Sequence, residues 1–311
     1  MDGVPVERVV RDPRFERLVP ADAVLTWLAD GAIWAEGPVY TPDDDAVVWS
    51  DVRGNVVRRW SEADGSTEVF RPSDFANGHT LDHDGRVLAC EHGPRRVSRH
   101  EPDGSRTTIV DRFEGKRLNS PNDIVVASDG AIWFTDPPYG ILDDNEGYKA
   151  DSELGGCFVF RLDRVTGELA VMSDDLVHPN GLAFSPDETT LYVSDTSIAR
   201  IPGGNHHIMA FDVVDLRRLA SPRIFAVIEP GVSDGMRVDV DGNLWTSSGD
   251  GIQVYDAAAV ELGRIILPEE AGNCTFGGPD GRRLFITATS TLWAIEVGIR
   301  GAVTPWVGAA G

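Results

Sequence analysis

The 311-residue chain carries 50 acidic side chains against 28 basic ones, a formal charge of −22, and such a surface repels nucleic-acid backbones and anionic membranes, so neither is expected as a partner. Its length allows one repetitive all-β unit as readily as two domains, and its three unclustered cysteines, Cys90, Cys157 and Cys274, spell neither a disulfide framework nor a zinc knuckle and read as reduced core residues. Charges punctuate the first 35 residues and no apolar run approaches the roughly 18 residues of a membrane span, so the cytoplasm is the expected compartment.

In chain order, the first strand signal is "AVLTWLADG", residues 23–31, and the first of six related stretches follows it. These are "EGPVYTPDDDAVVWSD", "NGHTLDHDGRVLACE", "NDIVVASDGAIWFTD", "NGLAFSPDETTLYVSD", "DGMRVDVDGNLWTSS" and "NCTFGGPDGRRLFITA". They begin at Glu36, Asn77, Asn122, Asn180, Asp234 and Asn273, and in all six an Asp stands seven positions on: Asp43, Asp84, Asp129, Asp187, Asp241 and Asp280. In four copies Gly follows that Asp, so each copy reads as strand, tight turn, strand. Successive copies start 41, 45, 58, 54 and 39 residues apart, the spacing of four-stranded blades, and the absence of a long 3.6-period apolar pattern agrees. The expected fold is all-β, a six-bladed propeller spanning residues 1–311 as one domain. Residues 23–31 have no blade before them and are expected to close the last one, sealing an otherwise open edge.

With each inner strand starting at the same rim, the six first residues form a polar ring at one mouth of the central channel. They are hard oxygen donors with no His or Cys among them, which suits Ca²⁺, Mg²⁺ or Mn²⁺. The competing reading is that Asn and Asp merely begin turns or cap strand ends, as they often do. The shared register of six copies favours the ring.

The motifs "EGPVY", "SPND", "HPNGLAFSPD" and "SDGMRVDVDGNLW" resemble, in order and over nearly the whole chain, the SMP-30/gluconolactonase/LRE family of six-bladed propellers with a divalent metal at the channel mouth. The stretches "EHGPRRVSR" and "EGYKADSELGGC" are similar to its bacterial gluconolactonase branch, and Ser120 stands where animal members often carry Arg. The resemblance implies Glu36, Asn122, Asn180 and Asp234 as metal ligands, with Ca²⁺ foremost and Zn²⁺, Mn²⁺ or Mg²⁺ as substitutes. It implies that Asn77 and Asn273 line the cavity. It also implies hydrolysis of a sugar lactone, with Asp234 as general base and Glu36 as its rival for that role.

Further candidates come from the residues themselves. The polar run 139–156, "YGILDDNEGYKADSELGG", is long for a propeller connection and is expected to cover the mouth, with Tyr148 and Lys149 as substrate contacts. His79 faces either the cavity or a neighbouring blade, His92 is a weaker candidate of the same kind, and Asn119, just before the third copy, joins the proposed substrate contacts. "GVSDG", residues 231–235, fits a nucleophile elbow in letters only, because a strand rather than a helix follows Ser233. Two other functions stay open: a metal-dependent phosphotriesterase or promiscuous esterase on the same site, and a non-catalytic binding scaffold. Acidic surroundings discourage anionic phosphates and suit a neutral polyol lactone.

Overall fold

The computed structural model describes residues 3–302; residues 1–2 and 303–311 of the expected span lie outside them. Six antiparallel sheets of four or five strands are arranged as the blades of a propeller. Their innermost strands are Ala35–Thr41, Ala76–Leu81, Ile124–Val126, Pro179–Phe184, Met236–Val238 and Ala271–Gly277, which we number blades 1 to 6. A two-stranded ribbon, Arg112–Phe113 with Lys116–Arg117, leads from blade 2 to blade 3.

The N-terminal chain contributes to two blades. Val24–Ala29 pairs with Thr291–Glu296 of blade 6 and in turn receives Gly3–Pro5, while Glu7–Val10 pairs with Glu261–Ile266 of blade 5.

The core is distributed, as a ring of sheets requires. Each of six apolar clusters bridges two neighbouring blades: Trp133 and Val159 of blade 3 pack with Leu182 and Phe211 of blade 4, for example, and Trp49 of blade 1 packs with Phe285 of blade 6. Trp49, Trp133 and Trp245, each in a second strand, are the largest fully buried side chains. Area of this kind stabilises by about 25 cal/mol per Å² removed from water. Period-2 alternation sends one face of each strand to each neighbouring interface, so second strands such as Ala46–Asp51 and Leu244–Ser248 are buried throughout.

The turn aspartates act as the sequence pattern suggests in three copies, where Asp129, Asp187 and Asp280 accept the N–H two residues on. In copies two and five that work falls to an earlier residue, Asp82 or Asp239, each of which accepts two such N–H groups.

Candidate functional site

The six repeat-initial residues meet at one mouth of the channel, held by main-chain bonds between blades. Gly78 N–H donates to Asn122 O at 2.9 Å and Gly181 N–H to Asp234 O at 2.7 Å. Hydroxyls from the second strands clamp other members: Ser50 donates to Asn77 O at 2.9 Å and Thr135 to Asn180 O at 2.7 Å. The approach leaves no room for a side chain at residue 181, where an added Cβ would sit 2.3 Å from Asp234 O. The glycine that follows a ring residue is therefore a packing requirement of the channel, beyond any role in a turn.

The second strands also explain why an apolar strand is entered through polar residues. Asp136, at the end of Ile132–Asp136, accepts the N–H groups of Asn119 and Ser120 at 2.8 Å each and bends this segment toward the ring. Burial raises Asp136 to about 7 despite those two bonds.

Two carboxyls dominate the ring. Glu36, Asn122, Asn180 and Asp234 are all buried or nearly so. Glu36 lies well above the usual carboxylate range because it is buried, and because Asp234 is close. Asp234 is pushed up to about 7, first by burial and then by the charges of Glu146 and Glu270, with the Glu36 and Asn180 side chains within hydrogen-bond reach. Glu36 Oε2 accepts Gly37 N–H at 2.8 Å and Asn273 Nδ2 at 3.2 Å, whereas Oε1 is buried without a partner among the described residues. A buried carboxylate oxygen without a donor is costly. Asn180 Nδ2 donates to Thr196 Oγ1 at 3.1 Å, and the Asn122 amide takes no hydrogen bond among the described residues.

Among those residues no group of three or more His, Cys, Asp or Glu side chains is placed to hold a metal ion. The ring differs from such groups in donor type, pairing two carboxylates with neutral amides, a donor set suited to Ca²⁺ and similar hard ions. Glu36 Oε1 is the atom that such an ion would satisfy.

The 139–156 run forms a strap beside the mouth, opening with the short helix Tyr139–Leu142. Two side-chain bridges tie it to the ring. Tyr139 Oη lies 2.6 Å from Thr196 Oγ1, which holds Asn180. The Glu146 carbonyl is 2.9 Å from His92 Nδ1, and His92 Nε2 is 3.4 Å from Asn77 Nδ2. Burial lowers the His92 pKa, and the Glu146 carbonyl, which can only accept, faces Nδ1 and calls for the proton on that nitrogen. The Glu146 carboxylate accepts Arg53 Nε and Nη2 at 2.9 and 2.7 Å, with Arg200 Nη2 at 4.0 Å.

Several candidate substrate contacts are placed elsewhere. His79 sits between blades, with Nδ1 2.8 Å from Gly37 O, and borders the far half of the channel, a cavity of about 610 Å³. Asn119 is consumed by the strap's end: Nδ2 donates to Asp136 O and Gly156 O, and Oδ1 accepts Ser152 Oγ at 2.7 Å. Both ends of Asn273 are bonded inside the ring. Tyr148 and Lys149 are exposed, the Tyr148 ring meeting Phe75 edge-on at 5.4 Å. Asn77 Oδ1 accepts no bond among the described residues. Ser233 is spent on Thr246 Oγ1 at 2.6 Å.

Tyr139, Thr196, Glu146, Arg53 and Arg200 carried no signal of their own in the sequence, because each becomes part of the mouth only through contacts between blades. His92 carried a faint one.

Residues 34–290 match the family model described as the SMP-30/gluconolactonase/LRE-like region. A gluconolactonase of Zymomonas mobilis is 31% identical over 94% of this chain and 86% of its own length. A pentonolactonase of Haloferax volcanii is 29% identical over 81% of this chain and 80% of its own. Among solved structures, a gluconolactonase of Xanthomonas campestris superposes with a TM-score of 0.89 at 42% identity, covering 96% of this chain and 97% of that one.

Proposed function

The chain belongs to the SMP-30/gluconolactonase/LRE-like family, and from that premise we propose that it hydrolyses a sugar lactone to its hydroxy acid at a divalent cation held by Glu36, Asn122, Asn180 and Asp234. The observation that carries the reading is Glu36 Oε1, buried and undonated beside the partly buried carboxyl of Asp234. Two carboxylates in so enclosed a place repel one another unless a proton or a cation lies between them. The donor set favours Ca²⁺, with Mn²⁺, Mg²⁺ or Zn²⁺ as substitutes.

When bound, such a cation supplies Lewis acidity to the lactone carbonyl. The protein supplies the rest. Asp234, which a bound cation would keep ionised, accepts the proton of the attacking water. The water oxygen adds to the carbonyl carbon, the ring C–O bond breaks, and the proton passes to the departing alkoxide, which leaves as a hydroxyl. Asn77 Oδ1 is positioned to accept a hydrogen bond from a substrate hydroxyl. The strap limits access of bulk water.

A neutral polyhydroxy lactone fits better than a phosphotriester or an anionic ester. Glu146 and Glu270 add negative charge beside Asp234, and Arg53 and Arg200 are already engaged with Glu146. No helix of the described residues is long and apolar enough to cross a membrane, and a reducing cytoplasmic setting is in keeping with three free cysteines, of which Cys90 and Cys274 are buried.

The test is acid release in a pH-stat from aldonolactones of five and six carbons, from an unsubstituted lactone and from a neutral phosphotriester. Turnover is expected on the aldonolactones, weaker turnover on the unsubstituted ring and none on the phosphotriester. Preferential hydrolysis of the phosphotriester would make the second reading the better one.

A further inference from the structure

We propose that Asn273 is a positioning residue which, braced from beneath by Asp123 and Arg237, fixes the Glu36 oxygen that faces the ring and so sets its affinity for a divalent cation. The inference rests on the reading of Glu36 as a ligand, and goes beyond it by giving the sixth repeat copy a separate task. Asn273 is 2% exposed, and its amide has a defined orientation: Oδ1 accepts Cys274 N–H at 2.8 Å, so Nδ2 is the end that faces Glu36. Nδ2 and Gly37 N–H converge on the same atom, Glu36 Oε2. With both donors on one oxygen, the plane of the carboxyl is held and its other oxygen faces away from them. Oε1 is left as the outward atom.

The Asn273 side chain also comes within hydrogen-bond reach of Asp123, a third buried carboxylate. Asp123 is fixed independently: Oδ1 accepts Ile124 N–H at 2.9 Å, and Oδ2 lies 3.4 Å from Leu182 N and 3.7 Å from Arg237 Nη1. Arg237 is anchored in turn by Nη1 donating to Met236 O at 2.7 Å. Asp123 thus has a cation of its own on the side away from the ring, which leaves Glu36 and Asp234 as the two charges available to a metal. Continuity runs from Arg237 through Asp123 and Asn273 to Glu36.

The surrounding backbone is shaped to this amide. A Cβ at residue 235 would lie 2.0 Å from Asn273 Cγ, and one at residue 272 would lie 2.6 Å from Glu36 Oε1. Both positions are glycine, so Asn273 and Glu36 occupy space that any other residue would take. Asn77, at the same position of the second copy, differs: its amide meets His92, not a carboxylate. Equivalent letters in the repeat therefore have different work, and Asn77 is the internal control.

The experiment is calorimetric titration of the chelated full chain with Ca²⁺, and separately with Mn²⁺, alongside the melting temperature of the metal-free protein. Wild type is expected to bind one ion and Glu36→Gln to lose it. Asn273→Leu changes no charge and is expected to weaken binding by about 10- to 100-fold, the usual cost of removing a residue that orients a ligand, with a cooperative melt of the metal-free variant showing that it is folded. Asn77→Leu is expected to hold metal affinity within about threefold of wild type by the same standard. Wild-type affinity in folded Asn273→Leu overturns the inference while leaving the metal site standing; absence of any ion from wild type overturns the reading beneath it. If Asn273→Leu does not fold, Asn273→Ala removes the same donor and decides the matter in the same way.

Discussion

His79 shows what burial does to a single side chain here. Enclosed between blades, with Nδ1 on Gly37 O and the His100 ring 5.9 Å away, it is lowered to about 4 by desolvation, and His100 to about 3. The unfolded chain takes up the histidine proton near pH 6.5, before the folded chain does, so this group's contribution to stability is lost as pH falls from about 6.5 toward 4. For His79 the loss is about 3 kcal/mol over that window. Urea unfolding of wild type and His79→Gln at several pH values should show the wild type losing more stability on acidification, with the curves converging toward pH 4; parallel curves would mean that His79 takes up its proton at the same pH folded and unfolded. The residue scale also marks where the sequence stops being informative. The repeat singles out Asn273 by register, but its bond to Glu36 joins residues 237 positions apart, and nothing local encodes which amide end turns toward that carboxylate. Asn119 misled for the same reason, since both ends of its side chain are taken by residues 17 to 37 positions further on.

The strap over 139–156 is the element tied most closely to the flank of the ring, through Tyr139, Gly140 and Glu146. Its length and polarity mark it as something other than a turn, and these are visible in the sequence. Tyr148 and Lys149 are exposed, whereas Tyr139 and Glu146 meet Thr196 and His92, and the short helix Tyr139–Leu142 packs against His92 and Ser120. Gly140 makes that packing possible. A Cβ there would come 2.5 Å from His92 Cβ and 2.8 Å from Ser120 Cβ, and Gly140 N–H donates to Ser120 Oγ at 3.0 Å. Gly140→Val should lift the strap from the mouth, raising KM for the lactone about tenfold, equivalent to ~1.4 kcal/mol, while calorimetric metal affinity stays at the wild-type value. An unchanged KM would mean that the strap has no part in holding substrate.

For the molecule as a whole, the sixfold repeat made the propeller readable before any coordinates, because a turn aspartate recurring in register is a signal that accumulates over copies. The short strands Gly3–Pro5 and Glu7–Val10 were not readable, since three or four residues show no period and their partners lie in blades 6 and 5 at the other end of the chain. The proposed ligands come from blades 1, 3, 4 and 5, so one cation would cross-link four blades that otherwise meet their neighbours through apolar clusters and main-chain bonds. Binding to the folded chain alone then stabilises the entire ring, by about 2.7 kcal/mol when free ion is a hundredfold above Kd. The most direct measurement is therefore a paired one: melting temperature and acid release from an aldonolactone, corrected for spontaneous opening, on the same sample after exhaustive chelation and again after Ca²⁺ is restored. Chelation is expected to lower the melting temperature and abolish enzymatic acid release, with one equivalent of bound Ca²⁺ restoring both; a chelated chain that still opens the lactone at the untreated rate would contradict the metal-dependent mechanism.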